Sequence, residues 1–80
     1  MKRDDAQGGR KMRILLVEDD KTIAGGLQYS LRSEGFEVVI CEDKESAMGV
    51  IAVQSFDLYL LDLALPDGSG YDLCEVIKAE

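Results

Sequence analysis

An α/β fold, with a parallel sheet covered by helices on both faces, is predicted by three observations. Short apolar runs, "RILLV", "EVVIC" and "DLYLLD", recur along the chain. Segments with apolar residues at helical spacing separate them. Residues that cap helices stand at the junctions. Strands alternating with amphipathic helices belong to parallel sheets, because each crossover carries the chain back over one face. Such crossovers are almost always right-handed. The order is βαβαβα, and strands two and three flanking strand one give the sheet order 2-1-3.

The first run, "RILLV", is unbroken and fits a strand buried on both faces. In "KTIAGGLQYSLRSEGF" that follows, Ile23, Leu27 and Leu31 recur every fourth residue and mark one helix face. Asp20 stands at its N-cap, and Gly35 stands where a helix end favours a left-handed residue. Gly25 and Gly26 weaken this helix by up to about 1 kcal/mol each relative to Ala. They are expected to permit close packing on the sheet. "EVVIC" is a second strand, rich in β-branched residues. Asp43 caps a second helix through Val53, with Ala47, Met48, Ile51 and Ala52 expected inward. "DLYLLD" is the third strand and ends at Asp62. The loop "LALPDGSG" holds the only proline. Ser69 and Asp72 read as a capping box for a third helix with Leu73, Val76 and Ile77 on its apolar side. Residues 1–11, "MKRDDAQGGRK", show no periodicity and read as a flexible extension, leaving 12–80 as one domain.

The 80 residues are 46% hydrophobic and 31% charged, the balance of a globular protein. The net charge of −7 argues against bare nucleic acid or an anionic membrane as a direct partner. No apolar stretch approaches the roughly 20 residues of a membrane span, and no signal core opens the chain. Cys41 and Cys74 read as reduced core thiols of a cytoplasmic protein. Tyr29, Tyr59 and Tyr71 read as packing residues. The chain has no histidine, which removes Ser-His and Cys-His nucleophile pairs and most zinc sites.

Any chemistry must therefore rest on carboxylates, hydroxyls, lysines or backbone groups. Glu18, Asp19 and Asp20 follow strand one, and Asp62 ends strand three. Neighbouring strands lie about 4.8 Å apart, so these groups converge at the strand carboxyl ends, where open α/β sheets bind ligands. Two like charges about 4 Å apart repel by roughly 4 kcal/mol at an effective dielectric of 20. A divalent cation relieves this, and an all-oxygen donor set suits Mg²⁺. A carboxylate beside such an ion can then attack phosphorus. Asp62 stands alone with room beside it, which suits a nucleophile, whereas the Glu18–Asp19 pair suits a metal. Each acidic site taken singly also fits a turn or a helix cap. The Pro66–Gly70 stretch fits an ordinary strand-to-helix turn better than a phosphate cradle.

At "RILLVEDD" and "LYLLDLALPDGSGYD" the sequence resembles the receiver domain of two-component response regulators, closest to the OmpR/PhoB class of transcription factors. The resemblance runs from Met12 to Glu80 and implies a flavodoxin-like (CheY-like) fold. It implies that Asp62 is the phosphoacceptor for a sensor histidine kinase. It implies that Glu18, Asp19, Asp62 and the backbone carbonyl of Ala64 are the Mg²⁺ ligands. Asp20 is left as a helix cap, and the exposed face of helix one becomes the kinase docking surface. The donor histidine then comes from the partner. A phosphatase of the haloacid dehalogenase type also uses a strand-end aspartate, but it needs a second acid at the position of Ala64.

The resemblance covers the first three-fifths of such a domain. The strand-four Ser or Thr and the strand-five Lys of the family have no counterpart here. Lys78, on helix three, is no evident substitute. DNA contact would come only through a further domain. Strand three is left as an apolar edge, which invites self-association. The alternative function is a phosphorylation-incompetent receiver segment acting only as an interaction module. Neither function makes the chain a turnover enzyme.

Overall fold

A computed structural model describes residues 11–79. The expected flexible extension therefore lies outside the described residues, except for Lys11. The order is β1 (Arg13–Val17), α1 (Lys21–Ser33), β2 (Glu37–Cys41), α2 (Lys44–Val53), β3 (Leu58–Leu61) and α3 (Gly70–Ala79). All three strands are parallel in the order β2-β1-β3. Val17 is in register with Cys41 on one side and with Leu61 on the other. The central strand is accordingly buried on both faces, from Ile14 to Val17. Alternate side chains divide the core. Leu15 and Val17 pack with Cys41, Ala47, Ile51, Leu65 and Leu73 beneath α2 and α3. Leu16 packs with Val38 and Ala24 beneath α1.

The helix signals act as the sequence implies. Asp20 accepts from the N–H groups of Thr22 (2.9 Å) and Ile23 (3.1 Å). At the other end, Gly35 has φ 96°, a conformation that costs glycine nothing. Gly35 N–H donates to Arg32 O and Phe36 N–H to Leu31 O, closing a Schellman motif. Phe36 and Leu31 pack on the same core cluster. Asp43 accepts from Ser46 N–H at 2.8 Å. The Ser69–Asp72 box also forms. Ser69 Oγ accepts from Tyr71 N–H (3.0 Å), and Asp72 accepts from Ser69 N–H (3.4 Å).

Four packing expectations are corrected. Gly25 and Gly26 are exposed, and a Cβ at either would meet nothing within 4 Å. Ala24, not the glycine pair, makes the buried contact of α1. Ile23 and Leu27 remain 49% and 39% exposed, because β3 is an edge and no described element covers their side. In α2, Met48 and Ala52 face solvent, while Val50 joins Ala47 and Ile51 on the core. Tyr59 packs against Phe56 with ring centroids 5.7 Å apart, but Tyr29 and Tyr71 are exposed. Both cysteines are free, Cys41 buried and Cys74 half-buried.

Candidate functional site: an acidic pocket at the strand carboxyl ends

The ladder of the sheet continues past the strand ends and fixes the backbone of the acidic residues. Glu18 N–H donates to Cys41 O (3.0 Å), and Asp62 N–H donates to Val17 O (2.9 Å). Glu18 and Asp62 thus stand side by side just beyond β1 and β3. One carboxylate oxygen from each of Glu18, Asp19 and Asp62 lies within 4.8 Å of the other two. Glu18 and Asp62 are half-buried and Asp19 is exposed. The three predicted carboxylates are brought together. Asp20 is not part of the set, since its side chain is spent on α1.

Hydrogen bonds orient two of the three. Glu18 accepts from Asp20 N–H at 3.2 Å. Asp62 Oδ1 accepts from Ala64 N–H at 3.1 Å, a side-chain-closed turn that sets the first bend of the β3–α3 loop. Ala64 is exposed within that loop. The donor set fits a hard divalent cation, with three convergent carboxylates and no nitrogen or sulfur among them. The same set holds mutual repulsion, which such an ion would relieve. Below the acids lies a groove of about 300 Å³ lined by Leu16, Val17, Glu18, Leu27, Leu60, Leu61 and Asp62. It runs between α1 and the edge strand and opens at the carboxylates.

Two features escaped sequence reasoning. Gly70 lies against the strand end that carries Asp62, where a Cβ would come 2.2 Å from the Asp62 carbonyl oxygen. Only the absence of a side chain lets α3 start there. Asp67 reaches across to α2, where Oδ1 accepts from Lys44 N–H (2.7 Å) and Oδ2 from Glu45 N–H (3.0 Å). These bonds, that from Lys44 foremost, hold the Asp67 carboxyl below the usual carboxylate range. The Pro66–Gly70 stretch is thus a structural turn, with Leu65 and Gly68 bridged across it.

A family model described as "Response regulator receiver domain" matches residues 14–80. The DNA-binding response regulator MtrA of Mycolicibacterium smegmatis is 40% identical over 70 residues, which are 88% of this chain and 31% of that protein. The sensory transduction protein RegX3 of the same organism is 41% identical over 82% of this chain and 29% of its own length. The chain therefore spans about a third of the curated relatives it matches. Among solved structures, a CheY-like response regulator receiver domain protein from Methanospirillum hungatei JF-1 superposes with a TM-score of 0.85 and 34% identity. That match covers 88% of this chain and 56% of the other.

Proposed function

The chain belongs to the response regulator receiver domain family, and on that premise we propose that it is the phosphoacceptor segment of a two-component transcription factor of the OmpR/PhoB class. Asp62 takes the phosphoryl group from a phosphohistidine of a sensor kinase. The observation that carries this reading is the convergence of Glu18, Asp19 and Asp62 within 4.8 Å, from the ends of two neighbouring strands.

Each residue has a distinct task. Asp62 Oδ1 is engaged by Ala64 N–H, so Oδ2 is the oxygen assigned to the attack. Its lone pair forms the new O–P bond as the N–P bond of the phosphohistidine breaks. The departing imidazole nitrogen takes its proton from water. Asp19, Glu18 and Asp62 would hold the cation, Glu18 being oriented by Asp20 N–H, and the carbonyl of Ala64 would complete the protein ligands. Mg²⁺, when bound there, neutralises charge on the nucleophile and on the incoming phosphoryl group.

The kinase docks on the exposed side of α1, which carries Ile23 and Leu27, Leu27 lining the groove that reaches Asp62. With a net charge of −7, this segment makes no direct nucleic-acid contact. Among the described residues no helix is long and apolar enough to cross a membrane. Free Cys41 and Cys74 fit a reducing compartment, and the cytoplasm is the proposed location.

A second reading rests on a separate observation. Among the described residues β3 is an edge strand; its Leu58 is 47% exposed, and its Leu60 and Leu61 line the apolar groove. Such an edge supports self-association or a purely protein-binding role. Two experiments separate the readings. With a small acyl phosphate and Mg²⁺, the first predicts a phosphoryl adduct by intact mass on the wild type and none on Asp62→Asn. Equal labelling of both proteins would refute it. Sedimentation tests the second, which a monodisperse monomer with sharp thermal unfolding contradicts.

A further inference from the structure

The β3–α3 loop must hold its shape if Ala64 is to serve the acceptor carboxylate, yet its residues are mostly exposed. Its apolar anchor is Leu65, buried in the core cluster with Leu73 and Ala47. The loop then doubles back. Leu65 N–H donates to Gly68 O (3.0 Å) and Gly68 N–H to Leu65 O (3.3 Å), making a tight turn with Pro66 and Asp67 at its tip.

A polar clasp grips that tip. Asp67 takes the first two N–H groups of α2, from Lys44 and Glu45, while Asp43 takes that of Ser46. Two aspartates thus divide three of the donors that a helix start leaves unsatisfied. One cap is local, and the other arrives from 22 residues further along the chain. Lys44 closes the clasp from its side chain. Its Nζ donates to Asp72 Oδ2 at 3.2 Å, and its methylene stem lies over Gly68. Asp72 in turn accepts from Ser69 N–H at the start of α3. One residue of α2 therefore binds the tip of that turn through its backbone N–H and the first turn of α3 through its side chain.

We propose that Asp67 is a positioning residue of the acceptor site: by tying the loop to the start of α2 it fixes Ala64, and through Ala64 the Asp62 carboxylate. This rests on the phosphoacceptor reading. Asp67 touches neither phosphorus nor metal, and it acts only through the segment Ala64–Leu65. Its effect should match that of other groups that orient metal ligands, about 10–100-fold in metal affinity or activity.

The test compares two caps of one helix. Asp67→Ala and Asp43→Ala each remove an acceptor from the α2 N-terminus and should lower the urea midpoint similarly. Only Asp67→Ala should loosen the loop. In the metal-free chain, amide exchange at Ala64, Leu65 and Gly68 should quicken relative to α1, with Asp43→Ala unchanged there. Calorimetry with MgCl₂ should show affinity lowered by about tenfold or more in Asp67→Ala, near wild type in Asp43→Ala and intermediate in Asp67→Asn, which keeps one acceptor oxygen. Equal exchange and equal affinity in the two alanine variants would overturn the proposal. A wild type that binds no Mg²⁺ would defeat the phosphoacceptor reading instead, while the exchange comparison would still decide whether Asp67 holds the loop.

Discussion

Replacing Gly70 with alanine should damage the acceptor site from behind. A Cβ there would sit 2.2 Å from the Asp62 carbonyl oxygen, 3.0 Å from its carbonyl carbon and 3.4 Å from Leu61 Cβ. The first two are backbone atoms, so no rotamer relieves the clash. Real Cβ contacts essentially never fall below 3.0 Å, so the start of α3 and the end of β3 must part by about 0.8 Å. Gly70 is buried and the adjoining Leu73 is fully so, which leaves little slack on the helix side. Overpacking of this kind costs about 1–3 kcal/mol. A shift near 1 Å in a reacting group can cost about 100-fold in rate. Gly70→Ala should therefore lower the urea midpoint and slow acyl-phosphate labelling by about 10- to 100-fold per folded molecule. Urea melts and timed intact-mass spectra on the same preparation measure both. Labelling at the wild-type rate with an unchanged midpoint would refute the geometric argument.

Other outcomes follow from the same structure. Gly26→Ala should stabilise the chain by about 0.8–1 kcal/mol, since the helix gains propensity and a Cβ there meets nothing within 4 Å. A lowered urea midpoint would show that this face of α1 is packed after all. Asp67 is held below the usual carboxylate range by the Lys44 and Glu45 N–H groups. A depressed folded-state value means that its contribution is complete above the ordinary Asp range and fades as pH falls through the lowered one. The stability gap between wild type and Asp67→Ala, from urea midpoints across pH, should therefore be widest near neutrality and narrow in acid. A gap that widens in acid would reverse the assignment.

Strand identity, sheet order and helix caps were legible because each has a local physical cause. An unbroken apolar run such as "RILLV" has no polar face to turn to water, so it must be central. Asp20 and Gly35 mark the ends of α1 through backbone donors and a positive φ that few other residues serve as well. The phase of α2 was less legible. "KESAMGVIAV" is apolar nearly all round, so spacing alone could not choose Val50 over Met48 or Ala52 for the core. The face of α1 was visible in Ile23 and Leu27, but whether anything covers it depends on where α1 lies over the sheet, which helix spacing cannot report. The acidic pocket was legible because a carboxylate pair and a single carboxylate both ended strands expected to be neighbours. Asp67 and Gly70 were not. One bonds a helix start 22 and 23 residues away, and the other is defined by a contact between two backbones. No periodicity encodes either.

The most direct measurement is the thermal unfolding of wild type and Asp19→Asn with and without MgCl₂. If three repelling carboxylates form one cation site, the metal-free variant melts above the metal-free wild type. Mg²⁺ at about a hundred times its dissociation constant should then stabilise the wild type by about 2.7 kcal/mol. The variant should respond only weakly. An equal Mg²⁺ response in both, with Asp19→Asn no more stable without the ion, would contradict the account.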